Sequence, residues 1–309
     1  MSRCFVVLLA SVVASATMRP AAQSNALFAF HSNSWVNLHH FARASARGGP
    51  APTDLSEEES RQWAAGVEFY KPYAARDLLR DDGMVEIKSA LRGVEGKTSL
   101  EGIGIDARLK VTLERLMVIY QKHWWPEHDR VNRAWIAAVQ PLLERHGKAL
   151  SQALTRTYDT TWPSNPVPVD LSVTAGPDGA YTTGPPTHVT ISSSEPSLQG
   201  LAALEMLFHE SSHSPVSDLF QRVRQAASEQ KVSVPSQLWH AVLFYTAGEL
   251  TTRELKAHGI AYTPYAGQGL YTNLCGAGCR EKIREYWTPH LDGKRSIADS
   301  LSGLVASFK

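Results

Sequence analysis

The 309-residue chain reads as α+β and mostly helical, on three observations. Apolar residues recur at three- and four-residue steps over most of its length. One window, 166–192, changes to alternation of apolar and polar residues, the period of a strand. The helical period then returns to the end. With 43% hydrophobic and 20% charged residues the chain has the composition of an ordinary globular protein, and its length allows one large domain or two modest ones. The implied order is a helical half, a small sheet, one motif-bearing helix and a second helical half.

The first residues, M-S-R-C-F-V-V-L-L-A-S-V-V-A-S-A, combine a positive start at Arg3 with an apolar run and a small-residue Ala14-Ser15-Ala16 site. Residues 1–16 therefore read as a signal peptide, with a buried N-terminal helix as the alternative. Arg19 arrives too early for a membrane span. The expected protein is secreted or periplasmic, with no stable membrane insertion after signal removal. A net charge of +1 without a Lys/Arg stripe argues against nucleic acid and acidic membrane surfaces as partners.

Residues 20–160 form a helical N-terminal region. A short helix is predicted from about Ser34, where Trp35, Leu38 and Phe41 share helical spacing. His31, His39 and His40 nearby suit either a core edge or a site. G-G-P-A-P at 48–52 is a loop. Thr53-Asp54 followed by acidic residues starts the next helix. Helices are predicted over 54–70, 72–80, 84–92, 104–123 and 127–158, with Trp124-Trp125-Pro126 breaking the last two.

Residues 161–309 carry the sheet and the site. P-V-P-V-D-L-S-V-T-A (166–175) is a strand, and A-Y-T-T and T-H-V-T-I-S-S are two more. The Gly184-Pro185-Pro186 divider marks the sheet edge. A helix then opens at Ser194 and ends near Ser214-Pro215. Further helices are expected at 215–229, from Pro235 to about Ala257, and from Cys279. In N-L-C-G-A-G-C-R, Cys275 and Cys279 suit a disulfide in an oxidising compartment, with Gly276 and Gly278 allowing a tight loop; a metal site is the alternative.

The motif is L204-E-M-L-F-H-E-S-S-H213. Residues four apart on a helix share a face, so His209 and His213 can offer two imidazoles to one ion. Glu210 lies about 100° around the helix, within reach of a water on that ion. Zinc, one per chain, suits such ligands, and a catalytic site needs one more from the protein. The bland alternative is two surface histidines and a solvated glutamate. Leu204, Met206, Leu207 and Phe208 weaken it, because they imply a buried helix where an unpaired carboxylate is costly. Two candidates for the third ligand sit on the apolar helix W239-H-A-V-L-F-Y-T-A-G-E-L: His240 and Glu249. Nine residues is half a turn out of phase, so they cannot both face the ion. Glu249, a lone carboxylate in an apolar stretch, is preferred, with Gly248 beside it permitting close helix approach.

H209-E-S-S-H213 with a glutamate 36 residues downstream resembles the gluzincin zinc metallopeptidases. The resemblance covers about 165–257. It implies a zincin-like small sheet over the motif helix, with T-H-V-T-I-S-S as the edge strand along which an extended substrate lies. It also implies His209, His213 and Glu249 as zinc ligands, Glu210 as general base, and a peptide or protein substrate. The sequence departs at A-G-E-L-T-T-R, where Arg253 replaces an expected aspartate; the metzincin pattern is absent. Tyr245, Tyr262, Tyr265 and His258 are candidates for oxyanion stabilisation. The expected function is an exported zinc metallopeptidase. The alternatives are a zinc hydrolase of a non-peptide amide or ester, or a non-catalytic metal-binding protein.

Overall fold

A computed structural model describes residues 26–49, 53–176, 178–213 and 218–309. The expected signal peptide, residues 1–16, lies outside them. Helix makes up 63% and the strands form one four-stranded mixed sheet, an α+β chain as expected. Among the described residues no helix is long and apolar enough to cross a membrane.

The chain opens with a short strand, β1 (Phe28–His31), then α1 (Ser34–Ala46), capped by the Asn33 side chain on the Trp35 and Val36 amides. α2 (Glu57–Ala74) starts at a capping box of Ser56 and Glu59, three residues later than Thr53-Asp54 had indicated. It also runs through Pro72, which stands so near its end that only one turn feels the missing N–H. The expected separate helix 72–80 is absent: residues 75–80 are turn and irregular chain. α3 (Asp82–Arg92) and α4 (Ala107–His123) are capped by Asp81 and Asp106, and α5 (Trp125–Tyr158) holds Pro126 in its first turn.

Three strands follow: β2 (Val167–Ser172), β3 (Ala180–Thr183) and β4 (His188–Ser192). The sheet order is β1-β2-β4-β3, with β1, β2 and β4 parallel and β3 antiparallel to β4. This corrects one expectation. T-H-V-T-I-S-S is the interior strand β4, and the edge beyond the Gly184-Pro185-Pro186 divider is A-Y-T-T, β3. β1 was not foreseen, because four residues give too short an alternation to read.

The two faces of the sheet differ. Phe28, Val167, Val169, Leu171, Ala180, Val189 and Ile191 pack with α5 and with two later helices, α6 (Gly200–Ser211) and α8 (Leu238–Ala257). The opposite face carries Asp170, Ser172, His188, Thr190 and Ser192, all buried. These groups meet α1 and α3. Asn37 donates to the Leu171 carbonyl at 2.8 Å, and His40 Nε2 lies 2.8 Å from the Tyr181 hydroxyl. Lys88 of α3 donates to Thr183 at 2.8 Å and Thr190 at 3.3 Å. A boundary near residue 160 therefore does not divide the packing. β1 and α5 belong with the sheet, and α1–α4 share a second apolar cluster around Trp35, Tyr70, Leu113 and Tyr120.

α7 (Leu219–Gln230) precedes α8; α9 (Leu270–Cys275), α10 (Cys279–Leu291) and α11 (Ile297–Ala306) complete the chain. Cys275 and Cys279 join as a disulfide with Cα atoms 5.8 Å apart. Gly276 and Gly278, at φ +88° and +73°, make the turn between them.

Lys88 is 2% exposed and, among the described residues, forms no ion pair; it meets two hydroxyls and the Tyr181 ring face, 4.5 Å away. Burial lowers its amine to about 7, against the opposing fields of Asp170 and Glu210 and with help from Arg92. Between pH 7 and about 10.5 the unfolded chain holds a proton there that the folded chain has released, so stability rises with pH across that window. Urea unfolding at pH 7 and pH 9.5 should show wild type gaining stability and Lys88→Met gaining markedly less; parallel gains in both proteins contradict this reading.

Candidate metal centre

α6 enters the molecule from a 3-10 turn, Pro196–Leu198, through Gly200 at φ +57°, a conformation that favours glycine. The helix expected to run unbroken from Ser194 is thus split at Gln199. Leu204, Met206, Leu207 and Phe208 bury α6 against the sheet, α5 and α8. The helix ends at Ser211. Ser211 and Ser212 hydroxyls cap the Leu207 and Phe208 carbonyls at 2.6 and 2.7 Å. His213 lies just beyond, its amide bonded to the Glu210 carbonyl at 3.2 Å in a tightened last turn.

The shortened helix still brings the motif histidines together: Nε2 of His209 and of His213 are 3.2 Å apart. His240, in the first turn of α8, places its Nε2 3.2 Å from that of His209. His209, His213 and His240 are therefore three donors converging on one point. For Zn–N bonds of about 2.0–2.1 Å, ligand atoms on a tetrahedron stand about 3.3–3.4 Å apart. Burial keeps all three imidazoles neutral, with lone pairs available. His209 is held well below the ordinary range by burial and then by its two histidine neighbours. His213 is lowered to about 3 and His240 to about 4, chiefly by burial.

Glu249 is not at this point. Its carboxylate pairs with Arg253 at 2.7 Å, and Arg253 also holds Asp292 at 2.9 Å, on a partly exposed side of α8. Since His240 faces the motif, the half-turn offset carries Glu249 away. Of the two residues that the sequence offered for the third position, the fold brings His240, not Glu249, to the motif histidines. The sequence misled because α8 is apolar nearly all round, so burial did not mark its inward face. Arg253, read as a departure from a pattern, is instead Glu249's partner one turn on. Gly248 does serve close approach: a Cβ there would lie 2.8 Å from Pro264 and 3.2 Å from Glu205 Oε1.

Glu210, 5% exposed, follows His209 in α6 and turns its carboxylate to strand β3. The Thr182 hydroxyl of edge strand β3 lies 2.6 Å from its Oε2 and 2.9 Å from its carbonyl oxygen. Burial raises Glu210 to about 7, partly offset by that hydrogen bond. Thr182 carried no sequence signal beyond its place in a strand.

Aromatic rings hold the imidazoles. Phe244, one turn after His240, stacks on His209 with centroids 3.7 Å apart and planes 16° from parallel. Trp239 stacks on His240 at 5.2 Å and meets His213 edge-on at 5.6 Å. His209 Nδ1 is buried with no hydrogen-bond partner among the described residues, so stacking rather than a carboxylate orients that ring. Of the four oxyanion candidates, Tyr265 alone joins this wall, 6.1 Å from Phe244. Tyr262 donates to Glu205 at 2.6 Å, Tyr245 pairs with Thr288, and His258 lies against Glu254.

No family model matches the chain, and neither the curated proteins nor the solved structures include a match.

After dialysis against zinc-free buffer, His240→Ala should lose the zinc that wild type retains, while Glu249→Ala should keep it. Loss of zinc in Glu249→Ala with retention in His240→Ala would restore the original assignment.

Proposed function

We propose that this chain is a zinc-dependent hydrolase acting on peptide bonds, with His209, His213 and His240 as ligands and Glu210 as general base. The observation that carries this reading is the convergence of three imidazoles, with His213 and His240 each 3.2 Å from His209, where the next residue after His209 is a buried carboxylate tethered to a sheet edge.

The donor set fits zinc. Three imidazole nitrogens at tetrahedral spacing leave one position open. Without a cation, at most one hydrogen separates each close nitrogen pair; with one, all three lone pairs are satisfied. Bound there, zinc supplies a Lewis acid that polarises a carbonyl and makes water easier to deprotonate. Glu210 then acts as proton carrier, taking a proton from the attacking water and delivering it to the leaving nitrogen. Thr182 keeps Glu210 aimed, since its hydroxyl reaches Oε2 and leaves Oε1 for the proton. A carboxylate raised to about 7 by burial has a basicity suited to transfer near neutral pH.

The peptide assignment rests on β3. Within the sheet its outer side pairs with no other strand. An extended substrate added there would run beside Thr182 and so past Glu210. The signal peptide, read from sequence, supports an exported enzyme. A third histidine in place of glutamate sets the chain apart from the gluzincin pattern, and the likeness rests on H-E-x-x-H and on the helix packed under an edge strand.

Glu210→Gln keeps shape and removes the base. Its zinc content and thermal midpoint should match wild type, while kcat on a peptide library falls by about 10²–10⁴-fold or more. Thr182→Val should lose about 10–100-fold, the worth of a hydrogen bond to a charged group. A chelator should abolish wild-type cleavage and zinc restore it. Wild-type rates in Glu210→Gln rule out its role as base; zinc-loaded wild type that cleaves no peptide in the library rules out the peptidase reading.

A further inference from the structure

We propose a second zinc site, formed by His146 of α5 with Glu254 of α8 and His258, the residue that caps the C-terminus of α8. It repeats the logic of the first centre: two donors four residues apart at the C-terminal end of one helix, and a third from a helix packed across it. His146 Nδ1 lies 3.0 Å from Glu254 Oε1, and His258 Nδ1 lies 3.3 Å from the same oxygen. The two imidazole rings meet edge-on with centroids 4.8 Å apart. These two N···O separations are close to the edges of a tetrahedron with Zn–N and Zn–O bonds of about 2.0–2.2 Å, and all three donor atoms lie within 4.8 Å of one another.

The electrostatics ask for a cation. The Glu254 side chain is only 17% exposed, and among the described residues no Lys or Arg forms an ion pair with it. Arg253, the neighbouring residue, directs its guanidinium to Glu249 and Asp292 instead. Among the described residues, Glu254 pairs with the two imidazoles. His146 is fully buried, and its Nε2 has no hydrogen-bond partner among the described residues, so the ring's polar interaction runs through Nδ1 toward Glu254. A largely buried carboxylate beside imidazoles is costly unless a positive charge joins it. A divalent ion between Nδ1 of both rings and Oε1 would supply that charge. A cleft of about 570 Å³, lined in part by Leu250, Glu254 and His290, opens beside the cluster and gives an ion and its remaining water ligands a way in.

The two sites are independent. His240 and His258 stand 18 residues apart along α8 and its C-terminal cap, about 27 Å along its axis. The second site is the weaker. His258 is 45% exposed, and its Nδ1 must give up a 3.0 Å contact with the Glu254 carbonyl oxygen. Its role is mechanical: it fastens the long α5 to the last turn of α8, from which the chain passes to Tyr262 and its bond with Glu205 of the motif helix.

The test is a calorimetric titration of Zn²⁺ into chelator-stripped protein, with His258→Ala as the main variant because that residue is exposed and its loss leaves no cavity. Wild type should take up two equivalents, His258→Ala and His240→Ala one each, and the double variant none. Zinc should raise the thermal midpoint of His240→Ala but not of the double variant. If His258→Ala takes up as much zinc as wild type, or if zinc leaves the midpoint of His240→Ala unmoved, the second site does not exist. Neither result bears on the three-histidine centre, whose own failure would appear as unchanged uptake in His240→Ala.

Discussion

An imidazole taken out of water loses its proton and keeps its lone pair. Three rings converge, the buried His209 with the part-buried His213 and His240, whose Nε2 atoms each lie 3.2 Å from that of His209, with no carboxylate in the group. In the proposed reading of this arrangement a cation accepts the lone pairs that the three rings turn toward one another. The surrounding structure serves to hold it: α6 is pressed on the apolar sheet face by Leu204, Leu207 and Phe208, and α8 crosses it with Gly248 at the close approach. Phe244 and Trp239 clamp the rings by stacking, which fixes orientation without fixing a tautomer.

The sheet divides its labour. Its apolar face builds the core that carries α6 and α8. Its polar face is buried, with Asn37 and Lys88 of α1 and α3 reaching the Leu171 carbonyl and Thr190, His40 reaching Tyr181, and His188 set against Asp170 within the sheet. Edge strand β3 joins the two sides, since Tyr181 and Thr183 face the N-terminal helices while Thr182 faces Glu210. The N-terminal helices therefore bear on the site indirectly, by fixing the strand that aims the carboxylate.

Much of this was legible in the sequence. The helical spacing of Trp35, Leu38 and Phe41 marked α1, and the period change after residue 165 marked the sheet. The His209/Glu210/His213 grouping stood out because chemistry dictates both residue type and spacing. The third donor was narrowed to His240 or Glu249, and the preference for Glu249 differs from the fold, which sets His240 beside the motif histidines. An all-round apolar helix has no amphipathic stripe to report its orientation, and the ion pair with Arg253 that satisfies Glu249 is visible only in three dimensions. The edge strand was misplaced by one because strand order depends on pairing, not chain order. β1 and α9 were too short for periodicity to register. Thr182 and the His146–Glu254–His258 group are tertiary meetings; of these, only the four-residue step from Glu254 to His258 is written in the chain.

The central claim is that three imidazoles hold one zinc. X-ray absorption at the zinc edge of His258→Ala protein, loaded with one equivalent, counts the ligands directly. Three imidazoles with nitrogen at about 2.0–2.1 Å and one further light ligand are predicted. A first shell of two imidazoles with a protein carboxylate, unchanged in His240→Ala, would contradict it.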